Sequence, residues 1–147
     1  MTEASGLPDE LASIRDDFLA LPPQERLQLL LEFSNDLPPL PAEYDGHPEL
    51  FEQVVECQSP VFIAVEVDEQ GRFHLHATAP REAPTTRGFA SILAHGLDGL
   101  TPDEVFAVPA DFPDTIGLTN VVSLLRVRGM TGMLGRAKRL LREHLAA

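Results

Sequence analysis

The chain has no tryptophan, one tyrosine and one cysteine among 147 residues. A single cysteine excludes an intramolecular disulfide and a CxxC pair of the kind that builds structural zinc sites. Basic residues are scarce: 11 Lys and Arg stand against 23 Asp and Glu, a net charge of -12 that argues against non-specific nucleic-acid binding. No apolar run is long enough to cross a bilayer. The opening residues Met1-Thr2-Glu3-Ala4-Ser5-Gly6 lack the basic-then-apolar pattern of a secretory signal, so a cytoplasmic, reducing location is expected. Phosphate-cradling loops are absent too. Gly129-Met130-Thr131-Gly132 and Gly132-Met133-Leu134-Gly135 carry no lysine and follow no strand, so these glycines are read as allowing close helix approach.

What is present suits one compact domain over residues 1–147, with 44% hydrophobic residues to build a core. Charge is uneven: residues 1–69 hold 16 acids and 2 arginines, and residues 70–147 hold 7 acids and 9 basic residues. Leu7, Leu11, Ile14, Phe18 and Leu21 recur at helical spacing over 8–20. Pro22-Pro23 separates that helix from a second, with Leu27, Leu30, Leu31 and Ser34 on one face and Leu29 and Phe33 broadening it. The Pro-rich stretch 37–47 is irregular. Alternation over 61–67, a turn at Asp68-Glu69-Gln70-Gly71 and alternation over 72–77 predict an antiparallel hairpin, with 50–55 as a third strand. Thr85 or Thr86 is expected to cap a helix carrying Phe89, Ile92, Leu93 and Leu97, ended by Gly96 or Gly99. Thr101-Pro102-Asp103-Glu104 opens another. Residues 109–113 connect to a short helix over 118–125 and a long one over 130–145. Met133, Leu134, Ala137, Leu140 and Leu141 face inward on the long helix, with Arg136, Lys138, Arg139 and Arg142 near its C-terminal end, where cations suit the dipole. The fold class is α+β: a small antiparallel sheet of about three strands flanked by N- and C-terminal helices.

Cys57 is the residue with the most chemistry. Free cysteine is often a small core hydrophobe. Here Glu56, Gln58 and Ser59 are polar, and the residue falls between element signals, which suits a working thiol at a loop tip. Gln58 and Ser59 can support the loop by bonding the backbone. A metal site is the alternative: His74 and His76 point the same way on a strand, and Cys57 with His47 would complete a Cys-His₃ set. A Cys–His hydrolytic pair is a third option, and no oxyanion-hole motif accompanies it. The plainest alternative is an acidic, non-catalytic interaction module with a structural thiol.

The string Val54-Val55-Glu56-Cys57-Gln58-Ser59-Pro60-Val61-Phe62 resembles the active-cysteine segment of the SufE family, with Glu56 in place of a glycine and Phe62 in place of a tryptophan. The resemblance continues in Thr86-Arg87-Gly88-Phe89, Leu100-Thr101-Pro102-Asp103-Glu104 and Arg126-Val127-Arg128-Gly129-Met130 with Met133, in order, from about residue 8 to the end. The usual Ser-Asp-Ala stretch is replaced by Pro80-Arg81-Glu82-Ala83-Pro84, where Glu82 occupies the acidic position. The resemblance implies a SufE/IscU-like fold and a sulfur acceptor rather than a stand-alone enzyme. Cys57 would take persulfide sulfur from a pyridoxal-phosphate-dependent, SufS-like cysteine desulfurase, stimulate it, and pass the sulfur to an iron–sulfur scaffold complex. No cofactor is implied beyond the transient persulfide on Cys57. By motif position Arg126 either stabilises the thiolate or persulfide anion or pairs structurally with a carboxylate. Glu56 restricts the loop backbone and disfavours the thiolate.

Overall fold

A computed structural model describes residues 7–147; the Met1–Gly6 stretch read for a signal lies outside the described residues. The fold runs α1 (Asp9–Ala20), α2 (Pro23–Asn35), β1 (Glu52–Gln53), β2 (Phe62–Val67), β3 (Phe73–Thr78), α3 (Pro84–Leu97), α4 (Pro102–Ala107) and α5 (Leu124–Ala146). Short 3₁₀ turns occupy Pro48–Leu50 and Phe112–Thr115. The sheet is antiparallel in the order β1-β2-β3; alternation predicts the β2–β3 hairpin, while the strand expected over 50–55 is reduced to Glu52–Gln53, Leu50 ending a 3₁₀ turn. Register pairs Ile63 with Ala77 and with Glu52, so the inward residues of β2 and β3 form one apolar face under the helices.

α3 is the central element, with ten of its residues buried. Two glycines let its neighbours approach. A Cβ at Gly88 would lie 2.7 Å from Leu30 of α2, and one at Gly96 would lie 2.2 Å from Leu11 of α1. Leu11, Phe18, Leu30, Phe89, Ile92, Leu93, Met130 and Met133 then close the core. Gly96 is therefore packed inside the helix rather than ending it. Gly99 sits just beyond, at φ +80°, a backbone geometry that suits glycine.

Three helix boundaries differ from the sequence expectation. Neither Thr85 nor Thr86 caps α3: it starts at Pro84, which supplies a pre-set φ at the first position, and no side chain bonds its first turn. The short helix over 118–125 does not form. Main-chain bonds from Val121 and Val122 to the Leu118 carbonyl make a turn there. Ser123 then caps one continuous α5, its hydroxyl accepting the Arg126 N–H at 3.3 Å. By contrast, Thr101 and Glu104 form the reciprocal cap that their spacing predicts, with bonds of 2.8 and 3.3 Å. No helix of the described residues is long and apolar enough to cross a membrane.

Candidate functional site

Cys57 lies in the eight-residue connection between β1 and β2. Val54, fully buried, donates its N–H to the Val61 carbonyl at 2.8 Å and closes the loop at its base. The Cys57 N–H turns back to the Val54 carbonyl at 3.1 Å. Cys57 is half-buried, as an inward-tucked thiol requires. Its sulfur rests against α5 because position 129 has no side chain: a Cβ there would lie 3.0 Å from Sγ. Gly132, one turn on, makes the same room for Glu56, whose side chain would lie 2.8 Å from a Cβ at that position. These glycines do allow a close approach, though by this loop rather than by another helix. Gly135 has nothing near it.

One more turn along the same face, Arg136 grips Glu56 with both ends of its fork, Nε to Oε1 at 2.8 Å and Nη2 to Oε2 at 3.3 Å. Its Nη1 donates to Glu52 of β1 at 2.6 Å. Arg139 also bonds Glu52 and reaches Glu143 at 2.8 Å. The cations of α5 thus fasten the strand and loop that carry Cys57, a stronger reason for their position than the helix dipole. These bonds hold the carboxyls of Glu52 and Glu56 below their ordinary range, the Arg139 bond contributing most at Glu52 and the Arg136 bond at Glu56.

The thiol is electrically suppressed. Burial first, and then the Glu56 charge, push the Cys57 pKa up to about 11, with Arg136 pulling weakly the other way. Beside the sulfur is a cavity of about 30 Å³. Gln58, Ser59, Thr86, Leu125 and Arg126 contribute to its walls. That volume holds about one water-sized group. Arg126 is exposed at this wall and forms no ion pair among the described residues. Arg136 is the cation that pulls the thiol pKa down. Gln58 and Ser59 line the cavity and among the described residues their side chains make no hydrogen bond; main-chain bonds and the Glu56 ion pair hold the loop. Glu56 occupies a glycine position of the family pattern without backbone strain, since no non-glycine described residue has positive φ. Glu82 is exposed and does not line the cavity.

The histidines gather elsewhere. His47 bonds Glu49 at 3.0 Å, His76 bonds Glu66 at 2.8 Å, and His74 lies 2.7 Å from both Asp68 and Asp98. None lines the Cys57 cavity, so the Cys-His₃ set is not assembled. Among the described residues no group of three or more His, Cys, Asp or Glu side chains is arranged to hold a metal ion. Sequence reasoning overlooked Arg136 and the role of Gly129 and Gly132. Their positions 129, 132 and 136 follow helical spacing on one face, a readable signal once the long helix is extended back to Leu124.

Comparison with known proteins bears on the family and the fold. A family model described as SufE, an Fe-S metabolism associated domain, matches residues 12–141. The chain is 50% identical over 143 residues to an uncharacterised SufE-like protein of Mycobacterium tuberculosis, covering 97% of this chain and 99% of that one. It is 25% identical over 124 residues to the cysteine desulfuration protein SufE of Plasmodium vivax, spanning 48% of that protein. The solution structure of a hypothetical protein from Thermus thermophilus superposes with a TM-score of 0.83 at 35% identity, covering 96% of this chain and 99% of that one.

Proposed function

The chain belongs to the SufE family, and from that premise we propose that it serves iron–sulfur metabolism by accepting sulfur on Cys57 from a cysteine desulfurase. The observation that carries this reading is the half-buried thiol beside a cavity with room for about one more atom. In the reaction, the Cys57 thiolate attacks the outer sulfur of a persulfide on the donor's cysteine. The Cys57 Sγ–S bond forms, the donor S–S bond breaks, and the donor cysteine leaves as a thiolate that takes up the proton lost by Cys57. There is no net oxidation, and no resident cofactor is needed.

A thiol with a pKa of about 11 is ionised in only about one molecule in ten thousand at pH 7. The resting loop therefore protects Cys57 rather than activating it. Attack requires the loop to leave α5, which relieves the burial that contributes most to the shift. Exposed apolar side chains lie on the loop and at the start of α5: Val55 at 66% exposure, Leu124 at 55% and Leu125, which lines the cavity, at 48%. They offer a partner an apolar landing whose contact favours the open loop. Arg126, with no carboxylate partner, then stands ready to receive the thiolate or persulfide anion. The inward cavity shelters the loaded sulfur until an iron–sulfur scaffold takes it.

The test is sulfide release from cysteine by a pyridoxal-phosphate-dependent cysteine desulfurase, with this chain added. The chain is expected to raise the rate and Cys57→Ser to abolish the effect. Equal stimulation by Cys57→Ser would contradict the reading. Arg126→Ala is expected to slow sulfur uptake and Arg126→Lys to restore part of it; unchanged uptake by Arg126→Ala would remove Arg126 from the mechanism.

A further inference from the structure

A second polar cavity lies where the C-terminus of α2 meets the start of α3. Its volume is about 270 Å³, and Ser34, Asn35, Arg81 and Arg87 line it together with Leu31 and Pro84. In a chain of net charge -12, two arginines face this space and neither forms an ion pair among the described residues. No carboxylate lines it. Arg87 is held in place by its Nε bond to the Ser34 carbonyl at 3.0 Å and its Nη1 bond to the Ala79 carbonyl at 2.7 Å. Among the described residues its Nη2 makes no hydrogen bond. A guanidinium so anchored is half-buried, with one end left toward the cavity.

Ser34 adds a hydroxyl to the same wall: the residue is 5% exposed and lines the cavity. Asn35, exposed beside it, lines the cavity as well. α3 begins at Pro84 on the cavity wall with no side chain capping its first turn. Donors thus converge on one space with no acceptor among them that carries charge.

We infer that this cavity binds a small oxyanion: inorganic phosphate or the phosphoryl group of a small metabolite. Arg81 and the free end of Arg87 supply charge-assisted bonds, and Ser34 and Asn35 supply neutral ones. The site is separate from the thiol and does not depend on the sulfur-acceptor reading.

The experiment is a titration of the full chain with inorganic phosphate, read by backbone amide shifts, with sodium chloride at matched ionic strength as control. Saturating shifts confined to residues around 34–35 and 81–87 are expected, with Arg81→Gln weakening binding about tenfold and Ser34→Ala by a smaller factor. Arg81 is exposed, so its replacement leaves the fold intact, whereas Arg87 also holds two carbonyls. Cys57→Ser should bind phosphate as the parent does. Shifts that chloride reproduces, shifts spread over the whole chain, or unchanged affinity in Arg81→Gln would overturn the inference.

Discussion

Cys57 and Gly129 form a pair in which each residue explains the other. Removing the side chain at 129 lets the sulfur lie against α5, and lying there is what pushes the thiol pKa up to about 11. Alkylation by a small iodoacetamide reagent should therefore rise about tenfold per pH unit from about pH 7 to 10 without a plateau. Glu56→Gln should react several-fold faster at about pH 8, because it removes the charge opposing the thiolate and releases the loop from Arg136. A plateau near the ordinary thiol pKa, or no acceleration in Glu56→Gln, would contradict this. Gly129→Ala is a sharper probe. In a helix interior alanine is favoured over glycine by about 1 kcal/mol, which offsets the crowding against Cys57, so the protein should melt within a few degrees of the parent. Yet its Cβ would stand 3.0 Å from Sγ and fill the sulfur cavity, so sulfur uptake should fall at least several-fold. Normal uptake in Gly129→Ala would show that the cavity is not used. At this scale the sequence pointed to Cys57 through its polar neighbours, and family resemblance supplied its chemistry. Arg136 was hidden because its partner Glu56 is 80 residues away.

Charge adds to apolar contact in joining the elements. Glu52 on β1 and Glu56 on the loop share Arg136, with Arg139 and Glu143 extending the chain of bonds along α5. Such partly exposed networks are worth about 1 kcal/mol in total, so Arg136→Gln should lower the melting temperature by a few degrees. High salt should narrow that difference; a difference insensitive to salt would exclude an electrostatic origin. His74 makes a second fastening, from the β2–β3 turn to the end of α3. Both ring nitrogens lie 2.7 Å from carboxylate oxygens, which accept but cannot donate, so the bridge requires imidazolium. Burial pulls its pKa down, but Asp98 and Asp68 raise it by more, and the net shift is upward from 6.5. The pKa of Asp68 is lowered in return, chiefly by the His74 bond. A raised histidine stabilises fully below its unfolded value and loses that contribution as pH climbs through the folded one. The melting-temperature gap between the parent and His74→Gln should accordingly be widest near about pH 5.5 and shrink by about pH 8.5. A constant gap would refute the bridge. Periodicity revealed the hairpin and most helices because the alternation of 61–67 and 72–77 is unbroken. The start of α5 was missed because Leu124, Leu125 and Arg126 are exposed and carry no apolar stripe.

Across the whole molecule, the acid-rich first half and the more basic second half meet at α5, where Arg136 and Arg139 bind Glu52 and Glu56. The same packing leaves Val55 on the loop and Leu124 and Leu125 at the start of α5 exposed. One arrangement thus keeps the sulfur on α5, and in the proposed mechanism a partner draws the loop away from it. The most direct test is the intact mass of the protein after incubation with an active cysteine desulfurase and cysteine, beside Cys57→Ser. The account predicts a gain of one sulfur atom, removed by reductant and absent from the variant. An unchanged mass, or the same gain in Cys57→Ser, would contradict it.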